Sequence, residues 1–333
     1  MPQLEVRVLS RRLKRPFVIS SGPRTEQDAV QVVLRADGVE GVGEASGVSY
    51  LGETAHGIAS QIEAARGAIE ANPGREALLD LLPAGGARFA VDSAFWDLEA
   101  KQAGVPVAAG LGLAPAEPLV SAFTVSLDTP ANMEAAARAA AGLSLLKVKL
   151  GGKDGLDAAR ARAVRRGAPG ATLIADANAG WTLDDLKRDA PALAQAGYAL
   201  LEQPLPADED AVLEGWERPL PLCGDESVQD VADLDAAAAR YDLINIKLDK
   251  CGGLTQALRM RERLRSLGKG LFVGCMICGV RAIAPAFILA READYADLDG
   301  PLWLADDDAE LTMDSTGRLS APPGWLWGGG DNA

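Results

Sequence analysis

The 333 residues contain one histidine, His56. That count excludes an HExxH zinc site, and a Ser-His-Asp triad would have to draw on a residue inside the helix-like stretch GETAHGIASQIEAA. Acid–base chemistry in this chain must rest on Lys, Asp, Glu or Tyr. Cysteine is scarce too: four residues show no disulfide framework. The CMIC run (Cys275 to Cys278) has no second CxxC or nearby histidine to complete a zinc set, so its thiols read as buried. Lys and Arg total 33 against 47 Asp and Glu, a net charge of -14, which offers nothing to a phosphate backbone. Nucleic acid is therefore not an expected partner. The short basic run SRRLKR (10–15) reads as a solvated strand edge. No run of about 18 apolar residues occurs and the first residues lack an apolar h-region, so neither membrane spanning nor export is expected. The expected location is the cytoplasm.

What is present suits a globular protein with a large core: 48% hydrophobic and 24% charged residues. The first third alternates as strands in LEVRVLS and DAVQVVLRADGVEGVGEAS, with Asp37-Gly38 as a hairpin signal. Helical periodicity follows in TAHGIASQIEAARGAIEA and ARFAVDSAFWDLEAKQAG, where Gly104 stops the run. From there a strand-plus-helix unit recurs, in LVSAFTVSL, LLKVKL, TLIADA, YALLEQ, LPLCGDE, DLINIKLD, GLFVGCM and YADLDG. Lys149, Asp176, Glu202, Asp225, Lys247, Cys275 and Asp297 mark it at intervals of about 22 to 28 positions. Eight units predict an α/β fold of the TIM-barrel type. No amphipathic helix follows the eighth strand, so the form expected is (β/α)7β. The expected division is an α+β capping domain over 1–118, with a C-terminal return over 312–333, and a barrel over 119–311.

Active sites of such barrels lie at the carboxyl ends of the strands. Asp176, Glu202 and Asp225 close strands three, four and five, and neighbouring strands about 4.8 Å apart can bring their carboxylates to one point. Three oxygen donors without His or Cys favour one hard cation with open positions, Mg²⁺ before Zn²⁺. Lys147 and Lys149 share a face of strand two, and Lys247 lies on strand six, four strands away in a ring of eight. Asp297 and Asp299 lie on strand eight, opposite the metal group. A carboxylate held by the cation acidifies its α-proton; one lysine removes that proton and the other returns one to the opposite face, inverting the centre. Lys149 is the expected base beside Lys247, with Lys147 as the like charge that, together with Mg²⁺ and burial, pushes the base's pKa downward.

KVK, DANAGW, EQPLP, GDES, NIKLDKCGG and ADLDG, in this order and spacing, closely resemble the dipeptide epimerases of the enolase superfamily, especially the L-Ala-D/L-Glu type. The resemblance implies Asp176, Glu202 and Asp225 as Mg²⁺ ligands, Lys149 and Lys247 as acid/base residues, and Asp297 and Asp299 as the holders of the dipeptide's free α-ammonium. It also assigns PFVISSGPRTE (16–26) to a cap loop over the site, with Arg24 meeting the γ-carboxylate of glutamate, an interaction that guanidinium chemistry suits. A dipeptide is then the substrate and recycling of cell-wall peptides the implied setting. An N-acylamino acid racemase, an o-succinylbenzoate synthase-like enzyme, and a non-catalytic barrel binding Mg²⁺ or a peptide are the alternatives. The number of subunits, a homo-oligomer included, stays open.

Overall fold

Asp37 and Gly38 both adopt positive φ, 53° and 77°, which is the backbone of a tight two-residue hairpin turn. The turn joins Gly22–Ala36 to Val39–Ala45, and Gln3–Ile19 pairs antiparallel on the other side to complete a three-stranded sheet. These observations come from a computed structural model that describes residues 2–19 and 22–327. Val30, Val32 and Leu34 alternate along the central strand and are fully buried. The helix Gly86–Ala103 packs on this sheet so closely that a Cβ on Gly43 would lie 2.0 Å from the Ala90 carbonyl oxygen. Gly104, at φ 64°, ends that helix in the left-handed conformation expected of it.

The second sheet has eight strands in sequential, parallel order: Phe123–Val125, Leu145–Lys149, Thr172–Asp176, Leu200–Glu202, Leu222–Gly224, Leu243–Lys247, Gly270–Gly274 and Tyr295–Asp297. The Ala122 N–H donates to the Ala296 carbonyl at 2.8 Å and draws the first strand against the eighth. Helices follow every strand but two. After the fourth, the chain makes only the 3₁₀ turn Asp210–Leu213, where helical composition led us to expect a helix; after the eighth, only the 3₁₀ turn Gly300–Trp303. The tail then pairs Arg318–Leu319 with Leu119–Val120 and accepts the Val107 N–H at Trp327.

Inside the ring the side chains are layered, as the two-residue strand period requires. Ala122, Leu145, Ile174, Leu200, Cys223 and Phe272 form a closed apolar plug. Two residues further along their strands stand Thr124, Lys147, Asp176, Glu202, Asp225 and Gly274, so the interior turns from apolar to polar in one step. The SRRLKR segment departs from expectation at one position. Arg12 and Lys14 are exposed, but Arg11 makes a two-pronged ion pair at 2.7 and 2.8 Å with the fully buried Glu44.

Candidate active site

Lys147 reaches the centre of the polar layer with three carboxylates on one ammonium. Its Nζ lies 2.8 Å from Asp297 Oδ2, 2.8 Å from Glu202 Oε2 and 3.1 Å from Asp176 Oδ2. Lys149, two residues on and on the same face, lies 2.7 Å from Asp176 Oδ2. On the sixth strand Lys247 lies 2.6 Å from Asp225 Oδ2. Strands two and six are four apart in the ring, and Lys147, Lys149, Lys247, Asp297 and Asp299 all line one cavity of about 170 Å³. Arg24 lines it from the cap and donates to Ser49 Oγ. Both basic side chains assigned to acid–base work thus face the same space from separate walls. Contrary to the expected loop over 16–26, Arg24 stands on the strand Gly22–Ala36 and pairs with Phe17 of Gln3–Ile19, because the two cap strands run on past residue 16; residues 20 and 21 lie outside the described residues.

The electrostatics run against one expectation. Burial pushes Lys147 down, but the charges of Asp297, Glu202 and Asp176 outweigh it and hold the ammonium well above its ordinary range. Burial likewise lowers Lys247, and Asp225 more than reverses it. The protein's own groups therefore keep both lysines protonated, and Lys147 acts first as a counter-ion to carboxylates. The acids respond unequally. Burial raises Asp176, yet Lys149 and Lys147 bring it down to about 2. Glu202 is pushed up to about 8, by burial and then by Asp176, with Lys147 too widely shared to compensate. Asp299 rises to about 7 through burial and the charge of Asp297 beside it.

Asp176, Glu202 and Asp225 are fully buried on adjacent strand ends, and Asp176 and Asp225 both raise Glu202. Among the described residues no three His, Cys, Asp or Glu side chains already stand gathered as a metal cage. Lysine ammonium groups instead sit on Asp176, Glu202 and Asp225, while Asp297 Oδ1 is buried without a hydrogen-bond partner among the described residues. Three mutually repelling buried carboxylates, with no nitrogen or sulfur donor among them, fit a hard cation such as Mg²⁺.

Several contributors carry no strand-end signal. Lys250, three residues past Lys247 on the short helix Leu248–Cys251, donates to Asp225 Oδ1 at 2.6 Å and to the Asp225 and Asn245 carbonyls at 2.5 and 3.0 Å. Asn245 donates to Glu202 Oε1 at 2.8 Å, in space left by Gly274, where a Cβ would lie 2.6 Å from the Asn245 Oδ1. Gln203, at φ 33°, accepts the N–H groups of Asp225 and Ser227 and so fixes the start of the loop after strand five. Tyr50 and Glu226 complete the rim. The period-two pattern that made Asn245 inward-facing was legible in NIKLDK; the return of Lys250 onto Asp225 was not.

The comparisons with known proteins come from both halves of the chain. Residues 3–112 match the family described as "Mandelate racemase / muconate lactonizing enzyme, N-terminal domain", and residues 131–325 match "Enolase C-terminal domain-like". The L-Ala-D/L-Glu epimerase of Escherichia coli (strain K12) is 42% identical over 309 residues, 92% of this chain and 96% of that protein. An N-acetyl-D-glutamate racemase of a Pseudoalteromonas species is also 42% identical, over 256 residues, 77% of this chain and 80% of that one. Among solved structures, an enolase family member from Agrobacterium tumefaciens, described as homologous to dipeptide epimerases and holding sodium and L-Ala-L-Glu with an ordered loop, superposes with a TM-score of 0.94. It is 42% identical, and the match covers 98% of this chain and all (100%) of that one. The dipeptide epimerase of Enterococcus faecalis V583, complexed with Mg and L-Leu-L-Tyr, gives a TM-score of 0.86 at 27% identity over 96% of each chain. With a barrel whose strand ends present lysines and carboxylates to one cavity under an α+β cap, and with relatives that match along almost its whole length, this chain belongs to the enolase superfamily.

Proposed function

We propose that the protein is a Mg²⁺-dependent dipeptide epimerase that inverts the α-carbon of the C-terminal residue, with L-Ala-D/L-Glu as substrate. The observation that carries this reading is the placement of Lys149 and Lys247 on opposite strands of the ring, both facing the cavity lined by Asp297 and Asp299. Asp176, Glu202 and Asp225 would hold one Mg²⁺, which stabilises the charge that develops on the substrate carboxylate when its α-proton leaves. Lys149 takes or gives that proton on one face and Lys247 on the other. Lys147 keeps the carboxylates of strands three, four and eight in place around them. Asp297 and Asp299 receive the free α-ammonium, and the spare buried Oδ1 of Asp297 is the acceptor it would meet. Arg24 faces the side-chain carboxylate. The relatives named as dipeptide epimerases support the reaction class. A cytoplasmic setting and a role in recycling cell-wall peptides follow by analogy. No helix among the described residues is long and apolar enough to cross a membrane.

One observation favours a second reading. A racemase named for N-acetyl-D-glutamate has the same 42% identity as the epimerase from E. coli, over 256 residues against 309, and an N-acetylated substrate brings no free amine for Asp297 and Asp299. Incubation in D₂O with Mg²⁺ and either L-Ala-L-Glu or N-acetyl-L-glutamate separates the two. Deuterium at the glutamate α-carbon of the dipeptide, lost when Asp297 and Asp299 are both replaced by Ala, is the expected result. Exchange confined to the acyl substrate and surviving that double change would establish the racemase, and no exchange in either the acyl substrate or a dipeptide library would remove the enzyme reading altogether.

A further inference from the structure

Asp249 is a buried carboxylate that the proposed chemistry leaves unused, two residues beyond Lys247. Its Oδ1 accepts two consecutive N–H groups from the cap, Ser46 at 2.9 Å and Gly47 at 2.8 Å. Those residues open the segment that hangs over the site. Gly47 is at φ 76°, and a Cβ there would lie 2.6 Å from Ile58 Cδ1, so the backbone has little freedom to choose another path. The other end of the segment is held in the same manner: Glu53 accepts the Val48 N–H at 2.7 Å and the Gly86 N–H at 3.0 Å. Between the two carboxylates, Ser49–Leu51 forms a 3₁₀ turn that presents Ser49 and Tyr50 to the cavity, and Ser49 Oγ is the group that receives Arg24.

We propose that Asp249 is a positioning residue that fixes the Ser49–Tyr50–Arg24 wall relative to Lys247, and thereby sets selectivity for the side chain of the residue being epimerised. The inference rests on the dipeptide reading above. The connection is short and made of strong links: Lys247 and Asp249 share one turn of backbone, and a carboxylate oxygen binding backbone N–H groups makes charge-assisted bonds. Among the described residues Asp249 Oδ1 is the acceptor that both Ser46 N–H and Gly47 N–H meet. Loss of the acceptor leaves two buried donors unpaired, which the segment relieves by shifting, and the shift carries Ser49 and Tyr50 with it.

The test compares Asp249→Ala and Asp249→Asn with the wild type on L-Ala-L-Glu and L-Ala-L-Ala. Asn keeps Oδ1 and is expected to restore selectivity. Ala is expected to raise KM for L-Ala-L-Glu about tenfold while changing kcat and the L-Ala-L-Ala reaction much less. If Asp249→Ala does not fold, Asp249→Ser, which retains a polar group too short to reach, takes its place. A folded Asp249→Ala enzyme whose preference for Glu over Ala stays within about twofold of wild type overturns the inference, as does an equal defect in Asp249→Asn. Should the wild type epimerise no dipeptide, the reading of function falls separately. Amide exchange at Ser46 and Gly47 then decides, since unchanged protection in Asp249→Ala removes the anchoring role and faster exchange retains it.

Discussion

Lys250 holds Asp225 twice, through Oδ1 at 2.6 Å and through the backbone carbonyl at 2.5 Å, while Lys247 takes Oδ2 at 2.6 Å. One proposed metal ligand therefore carries two ammonium groups. Lys250→Met would leave a buried carboxylate short of positive charge, a change worth about 3–5 kcal/mol. The expected outcome is a lower Tm without metal and a larger rise on adding Mg²⁺ than in the wild type, because the cation then supplies the missing charge. Thermal unfolding with and without Mg²⁺ measures both.

The two proposed bases make different contributions to one reaction. Lys149→Ala and Lys247→Ala are each expected to lose epimerisation by about 10²–10⁴-fold, the usual range for a positioned acid or base. Each should still wash deuterium into one epimer of L-Ala-Glu and not the other. Exchange into both epimers by either variant would mean that a single group serves both faces.

Arg24→Met removes a charged donor from the cap side of the cavity. Hydrogen bonds to charged groups are worth about 1.5–3 kcal/mol, so KM for L-Ala-L-Glu is expected to rise at least tenfold with L-Ala-L-Ala affected little. Steady-state kinetics on the two dipeptides reads this directly.

Asp92 on the cap helix accepts the Thr255 hydroxyl at 2.5 Å and its N–H at 3.2 Å, and burial pushes its carboxyl up to about 7. The folded protein thus retains a proton that the unfolded chain releases near pH 4. Stability from this group is complete below that pH and is lost as pH rises towards 7. Asp92→Asn keeps an acceptor and cannot ionise. Its Tm is expected to fall less than that of the wild type between pH 5 and pH 8, and parallel profiles would refute the assignment.

The barrel was legible because its strands report themselves twice, as apolar runs and as charged residues at their ends. Asp176, Glu202 and Asp225 could be placed on neighbouring strands from spacing alone, and the structure puts them on adjacent strand ends. Lys147 shows the limit of that reasoning. Its direction was fixed by the strand period, but its three partners come from strands three, four and eight, and only the closed ring reveals that it is a counter-ion to all three carboxylates. Lys250 and Asp249 were hidden for a different reason: they sit on a turn after the strand, where periodicity says nothing about which way a side chain returns. Arg11 looked solvated in a basic run, since the buried Glu44 that receives it lies on another strand of the cap sheet.

The loop after strand six is stitched into the cap on several sides. Arg88 donates to the Cys251 carbonyl at 2.8 Å, Asp92 holds Thr255, and a Cβ on Gly253 would lie 2.4 Å from Asp92 Oδ2. Calorimetry should consequently record a single melting event for both parts of the molecule, since neither can come apart while the other keeps its buried charges covered. Turnover then cannot proceed by swinging the two bodies open like a shell. The reactant has to slip in and out through local movement at the rim.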